Sequence, residues 1–156
     1  MLRLEILNGG FAISRIELNR VELCGTNNTA FQQPSWASSE ASSTNRSSEA
    51  LDGDPRTCWW AKGPAPQSLT VDLGSPQKIS RIRLDWKTED FARSSYGTAA
   101  FSQDFNIQFS DDNKTWKSAY ATTNGIGGLN DLAVSGSARY VRVLSLIHIF
   151  PVYPRP

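Results

Sequence analysis

LDGDPRTCWW, residues 51–60, and LTVDLG, residues 69–74, decide how this chain folds. The first is an Asp-Gly-Asp turn with a threonine three places on and a tryptophan pair; the second is an alternating strand that ends in glycine. Gly53 lets the backbone fold tightly enough to aim the oxygens of Asp52, Asp54 and Thr57 inward, where they can converge on one hard cation. The alternative is that Asp52 and Asp54 only cap a turn through local hydrogen bonds. The ligand-like spacing of Asp, Gly and Thr favours the cation.

Strands continue outward from this point. Leu69, Val71 and Leu73 share one face, as do Ile82, Leu84 and Trp86, and again Phe105, Ile107 and Phe109. Period-two alternation of this kind marks half-buried strands, so the core is expected here. Ser110–Lys114 is a polar turn, Trp116 opens the returning strand and is expected in the core, and Ser135-Gly136 is read as a turn before a strand over Tyr140–Val143. Towards the N-terminus, Leu2, Leu4 and Ile6 alternate, Asn8-Gly9-Gly10 is a hairpin signal, and Ile16 and Leu18 resume the alternation. Cys24 to Ser48 is rich in Ser, Thr and Asn, carries Phe31, Pro34 and Trp36, and reads as a short strand followed by a long loop.

Composition agrees with an all-β fold. The chain has 156 residues, enough for one domain plus a fragment, and its 16 basic residues almost cancel 15 acidic ones. That balance offers no electrostatic footprint for nucleic acid or an anionic membrane. No stretch is long and apolar enough to span a bilayer. The first residues lack a secretory signal region, as expected if Met1 is internal to a longer protein. Cys24 and Cys58 either pair or stay as two buried thiols; a lone pair of cysteines leaves both open.

Four segments together carry a resemblance: EALDGDPRTCWW (49–60), LTVDLGSPQKISRIRLDW (69–86), FNIQFSDDNKTW (105–116) and SARYVRV (137–143). In order and spacing, residues 38–143 resemble the discoidin, or coagulation factor 5/8 C-terminal type, family, which overlaps carbohydrate-binding module family 32. The resemblance implies a jelly-roll β-sandwich, galactose-binding-domain-like, with ligand-holding loops at one end. It also implies a structural calcium ion held by Asp52, Asp54, Thr57 and the carbonyl of Glu49. The acidic residue that completes this shell near the family's C-terminus has no counterpart, because no acidic residue follows Asp131.

The resemblance sets the expected domain boundaries. Residues 24–143 form the discoidin-like domain. LSLIHI, residues 144–149, resembles the translation of a sequencing-library adapter, so 144–156 is read as a non-native tail, the sandwich as lacking its last strand, and His148 as without a role. A native apolar strand running on from Tyr140 is the alternative. Residues 1–23 resemble the closing hairpin of a preceding family 6 or malectin-like module, with Ala12 where that family places a sugar-contacting Asn. The alternative is a hairpin of the main sandwich that covers its open edge.

Sugar sites pair an aromatic platform with polar side chains that reach hydroxyls. Trp59 falls at a core position of the family pattern, and Trp60 at a position that is usually small and polar, so Trp60 is expected to be exposed. The loop after Trp86 adds Phe91, Arg93 and Tyr96. For each of these four, packing beneath its own loop is the alternative to ligand contact. Catalysis finds little support: the only histidine lies in the doubtful tail, and Asp85, Glu89, Asp90, Asp111 and Asp112 fit a turn or solvated loop better than a paired acid and base. The expectation is a non-catalytic carbohydrate-binding module, monomeric within a larger multidomain chain, that attaches a secreted, extracellular glycan-acting enzyme to a galactose-type terminal sugar. The competing class is an adhesion module for phospholipid or protein.

Overall fold

The computed structural model describes residues 12–19, 28–86 and 101–149. Among these, seven strands form one antiparallel hydrogen-bonded sheet: β1 (Ala12–Asn19), β2 (Ser35–Ala37), β3 (Trp59–Trp60), β4 (Gln67–Trp86), β5 (Phe101–Ser110), β6 (Lys117–Thr122) and β7 (Leu129–Ile149). A single 3-10 turn covers Ser47–Ala50. The strand order is β3-β1-β4-β7-β5-β6, with β2 on the free side of β4.

Two long strands turn this sheet into a sandwich. The first half of β4 pairs with β2 and with the second half of β7, while its second half pairs with β1 and with the first half of β7. Register shifts between Asp72 and Gln77 and between Ile79 and Arg81 mark the corner, as expected where a strand passes between layers. The inner faces bury Leu69, Val71, Ile82, Leu84, Trp86, Phe105, Ile107, Val141 and Val143 in one core, so the alternation read along these segments holds. The fold is the all-β jelly-roll sandwich.

Several expectations change. Trp116 lies just before β6 rather than opening it, half-buried outside the core, with the Arg142 guanidinium 4.0 Å from its ring centroid. Ser135-Gly136 is no turn: β7 continues through it with a register shift between Ala133 and Gly136, and a Cβ at Gly136 would stand 2.9 Å from the Phe109 ring. β7 also runs past the boundary expected at Val143. Leu144 and Ser145 pair with Ser68 and Gln67, Ile147–Ile149 pair with the start of β5, and Ser145 Oγ donates to Ser102 Oγ at 2.7 Å in the interior. Residues 144–149, read as a non-native tail, thus continue β7 as strand.

Part of the N-terminal segment takes a place in the same sheet. Residues 1–11, with Leu2 to Gly10, lie outside the described residues, but β1 sits between β3 and β4, from Ala12 opposite Trp60 to Asn19 opposite Arg81. Ile13 and Ile16 are buried in the common core. A hairpin belonging to a separate module would leave that edge of β4 unpaired; hydrogen bonding and apolar burial both favour filling it. Cys24 lies outside the described residues, and Cys58 is buried.

The corner opposite the candidate site is braced electrostatically. Arg139 Nε and Nη2 each donate to the Asp72 carboxylate at 2.9 Å, which holds Asp72 below the usual carboxylate range. Asp112 accepts the amides of Lys114 at 2.8 Å and Thr115 at 2.7 Å; these bonds depress its pKa strongly and close the turn after β5.

Candidate binding rim and oxygen nest

One end of the sandwich gathers the loops. Trp86 closes β4 opposite Ile13, whose other neighbour is Trp59, so Trp59, Trp60 and Trp86 arrive at the same end. The Ser38–Arg46 loop is laced to this end by short-range bonds. The Ala41 amide donates to the Trp60 carbonyl at 2.8 Å, the Trp60 amide to the Asn45 carbonyl at 3.3 Å, and Trp59 Nε1 to the Ser39 carbonyl at 2.9 Å. Gln67 clamps the loop from below: its Oε1 accepts from Ser38 Oγ at 2.5 Å and its Nε2 donates to the Pro64 carbonyl at 2.8 Å.

The 123–128 loop meets the same end. The Trp86 amide donates to the Gly128 carbonyl at 3.0 Å, and the Gly125 amide to the Gln103 carbonyl at 2.8 Å. A Cβ at Gly125 would stand 2.4 Å from the Ser102 carbonyl, so this approach needs glycine. Ile126, at the tip, is 86% exposed, and Leu129 beside it is 59% exposed. Neither was singled out in the sequence, where a lone Ile among glycines and Asn reads as an ordinary loop.

Trp60 is half-buried rather than fully exposed, since its strand pairs with β1 and its ring leans on the core. Phe91, Arg93 and Tyr96 lie outside the described residues, as do Glu89 and Asp90. Glu40, exposed in the Ser38–Arg46 loop, turns its Oε1 to the Ser47 amide at 2.8 Å.

The four residues nominated for a cation come together beside the 3-10 turn. Thr57 Oγ1 lies 3.2 Å from the Glu49 carbonyl, 2.8 and 3.0 Å from the two Asp52 carboxylate oxygens, and 2.8 Å from the Asp54 carbonyl. One hydroxyl hydrogen serves one acceptor; Asp52 Oδ1 also accepts the Asp54 amide at 2.8 Å and the Asp54 carbonyl accepts the Thr57 amide at 3.3 Å, so the local bonds of a capped turn run through the same oxygens. Such crowding of hard oxygens suits calcium, which takes carboxylate, carbonyl and hydroxyl donors. Gly53, at φ +80°, makes the turn that brings them together. Asp54 differs from the expectation: its carboxylate turns away to the Arg56 amide, Nε and Nη2, at 2.9, 3.0 and 2.7 Å, and only its carbonyl enters the nest. Among the described residues no three acidic, His or Cys side chains cluster; the nest depends on backbone carbonyls instead.

Among the described residues, each carboxylate with a clear shift, Asp72, Asp112 and Asp131, is displaced downward by hydrogen bonds from arginines, backbone amides or a hydroxyl. A general acid needs the opposite displacement. Asp111 and Asp112 belong to the turn after β5, and Asp85 stands opposite Arg15 and Leu129 within the sheet.

Comparison with known proteins agrees with this geometry. A family model described as NedA-like, galactose-binding domain, of the F5/F8 type C class, matches residues 49–143. Chitosan-binding module 1 of a chitosanase/glucanase from Paenibacillus sp. IK-5 is 32% identical, with 78% of this chain and 88% of that one covered and a TM-score of 0.68. Module 2 of the same enzyme, solved with chitotriose, is 28% identical over 78% of this chain and 88% of that one, with a TM-score of 0.67. CpGH89CBM32-5 from Clostridium perfringens, solved with GalNAc-β-1,3-galactose, shares the fold at 21% identity, covering 74% and 84% of the two chains with a TM-score of 0.60. A comparison with curated proteins finds no match.

Proposed function

Because the chain belongs to the NedA-like, galactose-binding domain family, whose members are non-catalytic binding modules, we propose that it binds a non-reducing terminal sugar of galactose type at the Trp60 rim. The observation that carries this reading is the convergence of three loop segments, 38–46, 61–66 and 123–128, on the end that holds the half-buried Trp60. A pyranose lays its C–H face on such a ring while loop carbonyls, amides and hydroxyls meet its rim. No bond is made or broken. The module serves by tethering: a weak site fused to a secreted, extracellular glycan-acting enzyme raises the local substrate concentration. It works as a monomeric unit of a longer, bacterial polypeptide.

A calcium ion in the oxygen nest is part of the same proposal. Asp52 would hold it by carboxylate, Glu49 and Asp54 by carbonyls and Thr57 by hydroxyl, and the ion would fix the segment leading into Trp59 and Trp60. Binding to the native state alone stabilises by about 2.7 kcal/mol when free calcium is a hundredfold above its dissociation constant. Calcium is therefore expected to raise the melting temperature and a chelator to lower it, with a smaller effect on sugar affinity. In Thr57→Val the calcium response should vanish. Unchanged melting of the parent chain in chelator removes the ion from the account.

A second reading, adhesion to a phospholipid surface, is favoured by one observation, the exposed Ile126 and Leu129 at the rim. The near-neutral charge weighs against anionic lipid. Immobilised glycans, including galactosides, N-acetylgalactosaminides and chito-oligosaccharides, are to be compared with liposomes in parallel. Retention on a galactose-type arm supports the proposal; sedimentation with liposomes and indifference to every glycan overturns it.

A further inference from the structure

The outer face of the first layer carries a row of side chains that the rim does not use. Trp36, Thr70, Arg142, Gln108 and Ser118 stand directly opposite one another across β2, β4, β7, β5 and β6. Their sequence neighbours Leu69, Val71, Val141, Val143 and Ile107 are buried, so this row points outward. Four interstrand gaps make it about 19 Å long.

Trp36 is 41% exposed and meets the Tyr140 ring edge-on, with centroids 6.2 Å apart. Thr70, between Trp36 and Arg142, is only 4% exposed. The Arg142 guanidinium lies 4.0 Å above the Trp116 ring, and its Nε and Nη2 donate to Gln108 Oε1 at 2.8 and 2.5 Å.

The charge pattern names the occupant. Arg56, Arg81, Arg83 and Arg139 each meet a carboxylate: Asp54, Asp131, Asp131 and Asp72. Arg142 meets an aromatic ring and a neutral amide instead. Burial presses its pKa below the usual arginine value, yet a guanidinium stays charged at any ordinary pH. Two contacts to Gln108 leave further N–H donors of its fork unspent. A partly desolvated cation held flat beside an indole suits a ligand that brings both an anion and an apolar ring face.

We infer that this face, through Trp36, Arg142 and Trp116, is a second binding surface and takes a carboxylate-bearing polysaccharide chain. A uronic-acid carboxylate accepts from the free side of Arg142, and a neighbouring sugar ring lies on Trp36. A neutral chain would leave the cation unmatched, and a terminal monosaccharide would not span the row. The surface lies on the flank of the sandwich rather than at its loop end, so it does not depend on the rim.

Affinity electrophoresis of the full chain through polygalacturonate, with neutral galactan as the control, tests this. The expected result is retardation by polygalacturonate that weakens with salt and falls about tenfold in Trp36→Ala and in Arg142→Gln, with Arg142→Lys between. Melting curves are to be run on every variant. Should Arg142→Gln fail to fold, Ser118→Asp on the exposed end of the row introduces the opposing charge and is expected to abolish retardation. Equal retardation by neutral galactan, none by polygalacturonate, or retardation unchanged by Trp36→Ala and Ser118→Asp overturns the inference. Loss of galactoside binding in Trp60→Ala is a separate assay, so either surface can fail alone.

Discussion

Ile16→Ala is expected to lower the unfolding free energy by about 2–5 kcal/mol, and Ile13→Ala by a similar amount, as large-to-small changes in a packed core do. Ile13 and Ile16 are 0% and 1% exposed, and both belong to the cluster that includes Trp59, Leu84 and Trp86. A domain of this size is stable by about 5–15 kcal/mol in all, so the double variant, which loses about 4–10 kcal/mol if the two effects add, should give up a large share of that stability. Urea titration followed by tryptophan emission reads the effect directly. The size matters because β1 falls within residues 1–23, which by sequence resemble the hairpin of another module. If it were a passenger, both substitutions would leave the urea midpoint where it was. A midpoint that falls with an unchanged slope means that β1 is part of this domain's cooperative unit.

Trp60→Ala is expected to weaken binding of a galactose-type sugar by about tenfold or more, which corresponds to at least about 1.4 kcal/mol. Trp60→Phe, which keeps a stacking face, should recover most of the loss. Because the ring also leans on the core, Trp60→Ala will cost some stability. Affinity and melting temperature must therefore be measured together, at a temperature where the variant is folded. Affinity that is unchanged while melting falls would make Trp60 a packing residue and move the sugar elsewhere on the rim.

What was legible in the sequence was what is local. The faces of Leu69-Val71-Leu73, Ile82-Leu84-Trp86 and Phe105-Ile107-Phe109 follow from alternation within a few residues, and all nine side chains are buried. The oxygen nest was also legible, since Glu49, Asp52, Asp54 and Thr57 lie within nine residues and Gly53 supplies the turn. The role of the Asp54 carboxylate was not. Arg56, two residues on, competes for it, and spacing alone does not decide between a side-chain and a backbone oxygen.

Long-range pairing was the harder part. Nothing within Ala12–Asn19 says that its partners are residues 59–60 and 81–86. Gly136 looked like a turn because the ring that demands it, Phe109, is 27 residues away; the glycine serves a close approach across the sandwich. Trp116 looked like core because tryptophan usually is, whereas here a guanidinium from another strand forms its lid. The rim was only half readable. Trp60 could be nominated from its position, but the exposure of Ile126 depends on how 123–128 hangs from Gln103 and Trp86.

The central claim is that sugar binds at the loop end of the sandwich. Amide chemical shifts recorded during titration with a galactose-type saccharide test it most directly. The account predicts shifts concentrated in residues 38–46, 59–66 and 123–128, with the turn at 110–115 unmoved. Shifts confined to that turn, or no shifts at saturating saccharide, would contradict it.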